Sequence, residues 1–136
     1  HVGKLQSILQ TFHQMVAGHG NADLAVEFLH LGKLNGSKYD SESIWNKYGK
    51  YGNKYNSNSI WNEYGKYGGE YSQYSPFNKY ASHPPVLRDR SGKFYGYFTI
   101  SRYKAKRADY DIIDFICDNY ESIREDVDEW YEKVFD

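Results

Sequence analysis

Residues 39–86 read YDSESIWNKYGKYGNK (39–54), YNSNSIWNEYGKYGGE (55–70) and YSQYSPFNKYASHPPV (71–86), which are three copies of one 16-residue unit. A fixed period that keeps fixed residue types indicates that one small structural unit has been multiplied along the chain. We expect the repeat segment to occupy residues 39–85, with Pro84 and Pro85 ending it. Five positions keep their type in every copy: Tyr39, Tyr55 and Tyr71; Ser43, Ser59 and Ser75; Trp45, Trp61 and Phe77; Asn46, Asn62 and Asn78; and Tyr48, Tyr64 and Tyr80.

The repeat unit matches neither regular secondary structure. It is too short for a helical hairpin, and its polar and aromatic residues do not alternate as they would in a strand. We therefore predict an irregular unit in which Asp40, Asn56 and Ser72 cap a single helical turn in each copy. The repeated asparagine then opens a turn, which Gly49 and Gly65 close with positive φ in the first two copies.

Apolar residues at helical spacing flank the repeats at both ends of the chain. Near the N-terminus the spacing predicts an amphipathic helix over residues 2–17. Near the C-terminus it predicts a helix over residues 109–135, with Asp109 as its N-cap. We expect the apolar stripe of this second helix to cover the sheet rather than to form a coiled coil; its members are Ile113, Ile116, Tyr120, Ile123, Val127, Trp130 and Val134.

Two segments next to the repeats resemble each other when their glycines are aligned. They predict strands over residues 26–34 and 93–101, which we expect to pair, with a turn over residues 89–92 before the second strand. Gly32 and Gly96 are expected where a neighbouring ring or backbone approaches closely.

The predicted architecture is α+β. It is a single domain over residues 1–136, in which a small strand pair flanks an irregular 16-residue repeat segment, with N-terminal and C-terminal amphipathic helices. A chain of 136 residues can bury about two thirds of its unfolded surface, so it is long enough to fold alone. The 15 Tyr, 7 Phe and 3 Trp predict an aromatic core.

The single cysteine and the hydropathy restrict the possible classes further. Cys117 lies in an apolar stripe and is expected to be a buried structural thiol, and one cysteine excludes an internal disulfide and a multi-cysteine zinc site. No run of 18 apolar residues occurs, so we expect no membrane span. The sequence begins at His1 and carries no targeting segment, which leaves a processed or trimmed chain and an exported or cytoplasmic location open.

The net charge is close to neutral, but basic and acidic residues are concentrated in different parts of the chain. Residues 1–108 hold 15 Lys and Arg against 7 Asp and Glu, whereas residues 109–136 hold 2 against 11. We interpret the two regions as neighbours that offset each other's fields, with acidic side chains on a solvated helix face. The alternative is that the acidic helix competes with an anionic partner for the basic surface.

The stretch 29–100 resembles a repeat segment of uncharacterised bacterial proteins, with units of the form S-I-x-N-x-Y-G-x-Y-G-S-x-Y-S. The resemblance is carried by the repeats and by the flanking LGKL (31–34), PPV (84–86) and DRSGKFYG (89–96). Asn53 and Gly69 depart from it, because they stand where the repeat usually has serine. The resemblance implies a bacterial source and often an exported setting, and it implies no activity.

Catalytic, metal and cofactor signatures are weak throughout the sequence. The histidines are far apart without a ligand spacing, and serines that recur in every repeat are typical of turn formers rather than nucleophiles. GKYGGE (65–70) lacks the residues that follow the glycines in a phosphate loop. We therefore predict a protein that is not an enzyme, with no metal site and no cofactor.

Two functional hypotheses remain from different classes. The first is a non-catalytic interaction module whose repeats contact a protein or a glycan through an aromatic surface. Its candidate residues are Trp45, Trp61, Phe77, Tyr48, Tyr64, Tyr80, Asn46, Asn62 and Asn78, with the tryptophans equally well explained as core.

The alternative is single-stranded nucleic-acid binding, in which aromatic rings stack on bases and basic residues follow the phosphates. Its candidate residues are Arg88, Arg90, Lys104 and Arg107, together with repeat lysines. Self-association of the chain through the C-terminal helix is a further partner hypothesis.

Overall fold

Short strands lie on both sides of the repeats, and two helices follow them. The structure is a computed structural model that describes residues 24–27, 31–89 and 91–135, so the predicted helix over residues 2–17 lies outside the described residues. The elements in chain order are β1 (Leu24–Glu27), β2 (Lys33–Leu34), β3 (Val86–Asp89), β4 (Phe94–Tyr97), α1 (Asp111–Glu125) and α2 (Val127–Phe135).

The four strands form one antiparallel sheet in the order β2-β1-β3-β4. This confirms the α+β class, but the predicted strand over residues 26–34 is wrong, because Gly32 at φ 100° separates β1 from β2. The expected direct pairing of the two flanking segments is also wrong. The segment VLRD after the prolines forms β3, which lies between β1 and β4.

Gly32 and Gly96 lie where a neighbouring residue approaches the backbone closely, as predicted. A Cβ on Gly32 would come within 2.7 Å of the Tyr51 Cβ, and one on Gly96 would come within 2.6 Å of the Ala108 Cα. Both also have positive φ, which disfavours any side chain there. The predicted turn before β4 is present, since the Gly92 amide donates to the Asp89 carbonyl at 3.0 Å.

The repeats are chains of consecutive tight turns. In repeat 2, amides donate to the carbonyl three residues earlier at Ser59, Asn62, Gly65 and Gly68, over 3.0–3.4 Å. Because a turn closes about every third residue, Asn, Ser and Gly recur at that spacing within the 16-residue unit. The repeats contain no helical turn, so the predicted capped helical turn is wrong, although the side chains proposed as caps do accept amides two residues further on.

The repeat glycines are required by space rather than by φ. Gly49 and Gly65 are not among the glycines with positive φ, so that prediction is wrong. A Cβ on Gly52 would lie 2.1 Å from the Asn46 carbonyl oxygen, and one on Gly68 would lie 2.2 Å from that of Asn62. The chain therefore folds back onto its own backbone at these positions, and only glycine leaves room.

The repeats stack on one another through a central row of rings, which we call the inner ring stack: Trp45, Trp61 and Phe77. Successive ring centroids lie 6.0 Å apart, and the side chains have 0–1% of their surface exposed. Each ring residue comes directly after an apolar residue in the sequence. The Trp61 indole N–H donates to the Ile44 carbonyl of the preceding repeat at 2.7 Å. The core therefore runs along the repeats, and it is aromatic there, as the composition predicted.

The segments next to the repeats close both ends of this stack. On one side, the Lys33 amide donates to the Glu42 carbonyl and the Ile44 amide to the Lys33 carbonyl, at 2.7 and 3.0 Å. On the other side, the Ile100 amide donates to the Pro76 carbonyl at 2.8 Å, and Phe98 packs edge-on against Phe77. Repeat proteins need such ends to cover the exposed faces of their first and last units.

The predicted single C-terminal helix is two helices. α1 begins after Tyr110 without a side-chain cap, so Asp109 is not the N-cap. The break at Asp126 coincides with a new cap, because its carboxylate accepts the Glu129 amide at 3.0 Å and its carbonyl accepts the Trp130 amide. Neither helix within the described ranges is long and apolar enough to cross a membrane.

The helices run across the repeats, which corrects the expectation that their stripe covers the sheet. Tyr120 stacks on Phe77 of repeat 3 at 4.2 Å, Arg124 donates to the Gly68 carbonyl of repeat 2 at 3.1 Å, and Asp128 pairs with Lys47 of repeat 1 at 3.8 Å. Four residues of a helix rise about 6 Å, which equals the 6.0 Å between rings of the inner stack. The turn of α1 from Tyr120 to Arg124 therefore covers one repeat, and Asp128 contacts repeat 1 from α2, beyond the break at Asp126.

Candidate functional site: the tyrosine face of the repeats

Six tyrosines project from the repeats into solvent, with 77–92% of their surface exposed. They form two rows, one at the first position of each repeat and one two residues after the repeated asparagine. We call this surface the tyrosine face: Tyr39, Tyr55 and Tyr71 in the first row, and Tyr48, Tyr64 and Tyr80 in the second. Aromatic side chains with this exposure on a folded scaffold are characteristic of contact surfaces.

The asparagines fix the backbone from which the second row projects. The Asn62 Oδ1 accepts the Tyr64 amide at 3.0 Å, and its Nδ2 donates to the Asn56 carbonyl at 3.2 Å. Asn46 and Asn78 make the equivalent pairs of bonds in their own repeats. Because each asparagine uses both ends of its amide within the protein, its role is to position the tyrosines rather than to bind a ligand directly.

The larger rings among the predicted contact residues lie in the core instead. Trp45, Trp61 and Phe77 are buried, so they offer no surface to a partner, and the core interpretation of these rings holds. The serines beside them are buried as well, and each accepts the amide of its ring residue at 3.0–3.1 Å. The expected aromatic surface therefore consists of tyrosines alone.

Lysines lie beside the exposed rings. Their ammonium groups are 5.1 Å from the ring centroid for Lys47 on Tyr48 and 5.4 Å for Lys54 on Tyr55. These distances are within the range of a cation–π contact. The rings in this part of the face are therefore bordered by positive charge.

Two recesses open between the tyrosine rows and the helices, and they are related by one repeat. The basic recess, about 350 Å³, lies between Tyr48 and Tyr55; the repeats contribute Lys47 and Lys54 to it, and the end of α1 contributes Glu125 and Asp126. The acidic recess, about 470 Å³, lies between Tyr64 and Tyr71 and includes Glu63, Glu70 and Glu121. Glu63 and Glu70 occupy the repeat positions of Lys47 and Lys54. One repeat step therefore reverses the charge that the repeats contribute to the recess.

Arg124 lines both recesses and joins them to the core. Its guanidinium lies 5.2 Å from the Tyr120 ring centroid and 3.5 Å from the Glu63 carboxylate, and the residue is buried. Sequence reasoning missed Arg124, because nothing in the helical pattern distinguishes it from a solvated charge. Its only signal is its place on the apolar side of α1, four residues after Tyr120.

The residues of the nucleic-acid hypothesis do not form one exposed basic surface. Arg107 is buried, donates to the Thr99 carbonyl at 2.8 Å and pairs with Asp114 at 2.8 Å and Asp109 at 2.9 Å. This contradicts a phosphate-contacting role for Arg107. Burial opposes the charge, but the hydrogen bonds that Arg107 donates to the two carboxylates outweigh it and raise the pKa of Arg107.

The other members of that set are dispersed. Arg88 is exposed on β3, Lys104 lies 5.0 Å from the Tyr97 ring centroid, and Arg90 lies outside the described residues. Arg102 pairs with Asp114 at 2.9 Å and Asp118 at 3.0 Å. The acidic helix thus offsets the basic segment by direct contact, as the first interpretation of the charge separation expected.

A second charged contact ties α2 to Lys38, the residue just before repeat 1. Lys38 pairs with Glu132 at 2.5 Å and with Asp128 at 3.3 Å. The hydrogen bond to Glu132 is the main cause of a raised pKa for Lys38, and Asp128 adds to it. This contact lies beside a third recess of about 370 Å³ that includes Tyr39 and Tyr48.

Nucleophile and metal chemistry are not assembled around these recesses. Cys117 is buried, and burial raises the pKa of its thiol to about 12, which fits the predicted structural role. Among residues 24–27, 31–89 and 91–135, no group of three His, Cys, Asp or Glu could hold a metal ion.

The chain was compared with known families, curated proteins and solved structures. None of the three comparisons finds a match. The resemblance of residues 29–100 to a bacterial repeat segment accordingly stays a prediction.

Proposed function

We propose that this protein is a non-catalytic binding module that contacts another protein through its tyrosine face. The observation that supports it most directly is the exposure of six tyrosines, 77–92% each, on a backbone held by internal hydrogen bonds. Tyrosine supplies a large contact area and a polar hydroxyl with few rotatable bonds, so little conformational entropy is lost when it binds.

The charges beside the tyrosines favour a protein over a nucleic acid as partner. A phosphate backbone needs a continuous positive track, whereas three glutamates line the acidic recess beside this face, two from repeat 2 and one from α1. A protein surface carries both signs and can complement both recesses. A glycan is the second ligand class in the test below, because the flat side of a tyrosine ring also packs against sugar rings.

The proposal is tested with one panel of probes and one set of variants. Wild-type protein is exposed to a displayed random-peptide library, a glycan array and a labelled single-stranded oligonucleotide. The contact variant is Tyr48→Ala/Tyr64→Ala/Tyr80→Ala, and the matched control is Tyr103→Ala, a fully exposed tyrosine outside the repeats. Both should retain the wild-type circular dichroism spectrum, because the deleted rings are exposed.

We expect peptides that bind the wild type and the control, with a loss of at least about tenfold in the contact variant, as for hot-spot residues. If glycans instead bind the wild type and the control but not the contact variant, the partner is a sugar rather than a protein. Oligonucleotide binding that falls steeply with salt would favour the nucleic-acid alternative. Binding that the triple substitution leaves unchanged would overturn the role of the tyrosine face.

A further inference from the structure

The tyrosine face carries opposite charges at equivalent positions of repeats 1 and 2. Lys47 and Lys54 line the basic recess, and Glu63 and Glu70 occupy the same positions of the next repeat and line the acidic one. Duplication alone would have kept the charge, as it has at Lys50 and Lys66, which line neither recess. The reversal is therefore restricted to the positions that border the recesses.

We infer that the tyrosine face binds a second copy of this chain, with the two repeat stacks antiparallel about a twofold axis between repeats 1 and 2. This inference rests on the proposed function, since it names the partner of the same surface. The axis lies in the plane of contact and perpendicular to the stack. It reverses the order of the repeats but keeps each residue in its row, as an isologous interface requires.

Under this symmetry each lysine faces the glutamate at its own position in the neighbouring repeat. Lys47 of one copy lies opposite Glu63 of the other, Lys54 lies opposite Glu70, and both contacts occur twice. The basic recess then covers the acidic recess. A twofold axis along the stack would instead place repeat 1 on repeat 1, with lysines facing lysines, and like-charge contacts of this kind are strongly disfavoured.

The tyrosines supply the area that such a contact needs. A specific interface buries about 800 Å² on each partner. A buried tyrosine contributes on the order of 150–250 Å², so the four tyrosines of repeats 1 and 2 alone approach this area: Tyr39, Tyr48, Tyr55 and Tyr64. Their equivalence by repeat also sets Tyr48 against Tyr64 of the second copy.

Charge reversal at one row gives a clean test. Lys54 and Glu70 form no ion pair among the described residues, so Lys54→Glu and Glu70→Lys leave the internal pairs intact. The matched control is Lys66→Glu, at a position that lines neither recess. Sedimentation velocity and light scattering of the full chain, at low salt and over a concentration series, measure the association of each variant.

We expect a wild-type dimer, a control that dimerises equally well, and dissociation constants at least about tenfold higher for Lys54→Glu and for Glu70→Lys alone. Mixing these two variants should restore the dimer, because each glutamate then faces a lysine. The double variant Lys54→Glu/Glu70→Lys should also dimerise by itself. Added salt should weaken every one of these dimers.

Three results would overturn the inference: a monomeric wild type, single variants that dimerise like the wild type, or a mixture that stays monomeric. Circular dichroism and urea unfolding of each variant separate lost association from lost folding. A monomeric wild type that still binds a displayed peptide through its tyrosines would leave the proposed function standing without its inferred partner. If such peptides are also lacking, both proposals fail.

Discussion

The inner ring stack and the tyrosine face are made by the same 16-residue unit, yet one is entirely buried and the other almost entirely exposed. What distinguishes their rings is the relation to the repeated asparagine. The ring before it, such as Trp61 before Asn62, points into the stack, and the ring two residues after it, such as Tyr64, points outward. Aromatic character alone therefore does not separate core from contact surface in this chain, whereas position relative to the turn does.

The sharpest way to break this comparison is to remove one ring of each kind from repeat 2. Trp61→Ala deletes a fully buried ring and should lower the free energy of unfolding by about 3–5 kcal/mol. Tyr64→Ala should change it by less than about 0.5 kcal/mol, because an exposed ring loses little packing. Urea unfolding followed by far-ultraviolet circular dichroism measures both. Equal losses in the two variants would contradict the assignment of core and face.

The backbone turn between the inner and the outer rings of repeat 2 requires a residue without a side chain, Gly68. Gly68→Ala would place a Cβ 2.2 Å from the Asn62 carbonyl oxygen, and we expect a loss of about 2–3 kcal/mol from the displaced backbone. Gly69→Ala is the control, since its nearest contact would be 3.1 Å away. The loss of unfolding free energy should be clearly smaller for Gly69→Ala in the same measurement. A larger loss for Gly69→Ala than for Gly68→Ala would contradict this prediction.

The asparagine itself should matter less than the backbone clash but more than any exposed ring. Asn62→Ala removes two hydrogen bonds, the one that Asn62 accepts from the Tyr64 amide and the one that it donates to the Asn56 carbonyl, and should cost about 1–2 kcal/mol. Asn58→Ala, a partly exposed asparagine in the same repeat, is the control. Hydrogen exchange of the Tyr64 amide should accelerate in the first variant only, and unchanged protection would mean that this bond does not hold the turn.

The smallest expected effect concerns one turn that is built with a carboxylate in repeat 1 and an amide in repeat 2. The Asp40 carboxylate accepts the Glu42 amide at 2.9 Å, and this bond is the main cause of the lowered pKa of Asp40, with Asn35 and Lys33 adding to it. A carboxyl with a lowered folded pKa stabilises the protein above its unfolded value of about 3.9, and that stabilisation is lost as the pH falls through the folded value.

Asp40→Asn, which copies the residue of repeat 2, should therefore flatten the decline of stability with falling pH below about 4. The reciprocal Asn56→Asp should steepen it. Urea midpoints measured between pH 2 and pH 6 compare the two with the wild type. Identical acid profiles in all three would show that the turn does not depend on the ionised carboxylate.

The period, the closely approached glycines, the buried thiol and the α+β class were all predictable, because each depends on local pattern or on side-chain size. The four-stranded sheet was not, since β3 is a four-residue segment after two prolines with no alternation to reveal it. The helix break at Asp126 did carry a signal, the aspartate followed three residues later by Glu129, but an uninterrupted apolar stripe outweighed it.

Part of the candidate site could likewise be predicted from the sequence, and part could not. The tyrosine rows and the asparagines were visible as repeated positions, but which rings lie inside depends on how successive turns wind, and that is a property of the whole stack. Arg107 and Arg124 look like surface charges in sequence, and only the fold shows that both are buried beside carboxylates. The Arg124 contact joins residues 61 positions apart, and the shorter-range contacts of Arg107 depend on how its loop meets α1, so neither has a recognisable sequence pattern.

The match between one helical turn and one repeat limits how this gene can grow. Inserting 48 nucleotides would add a repeat whose outer side no residue of α1 or α2 could reach, leaving apolar surface bare. Only a second insertion, of about four codons within the helices, would restore cover. Unlike a solenoid with two open flanks, this fold must therefore change at two distant places at once, and its repeat number should drift slowly.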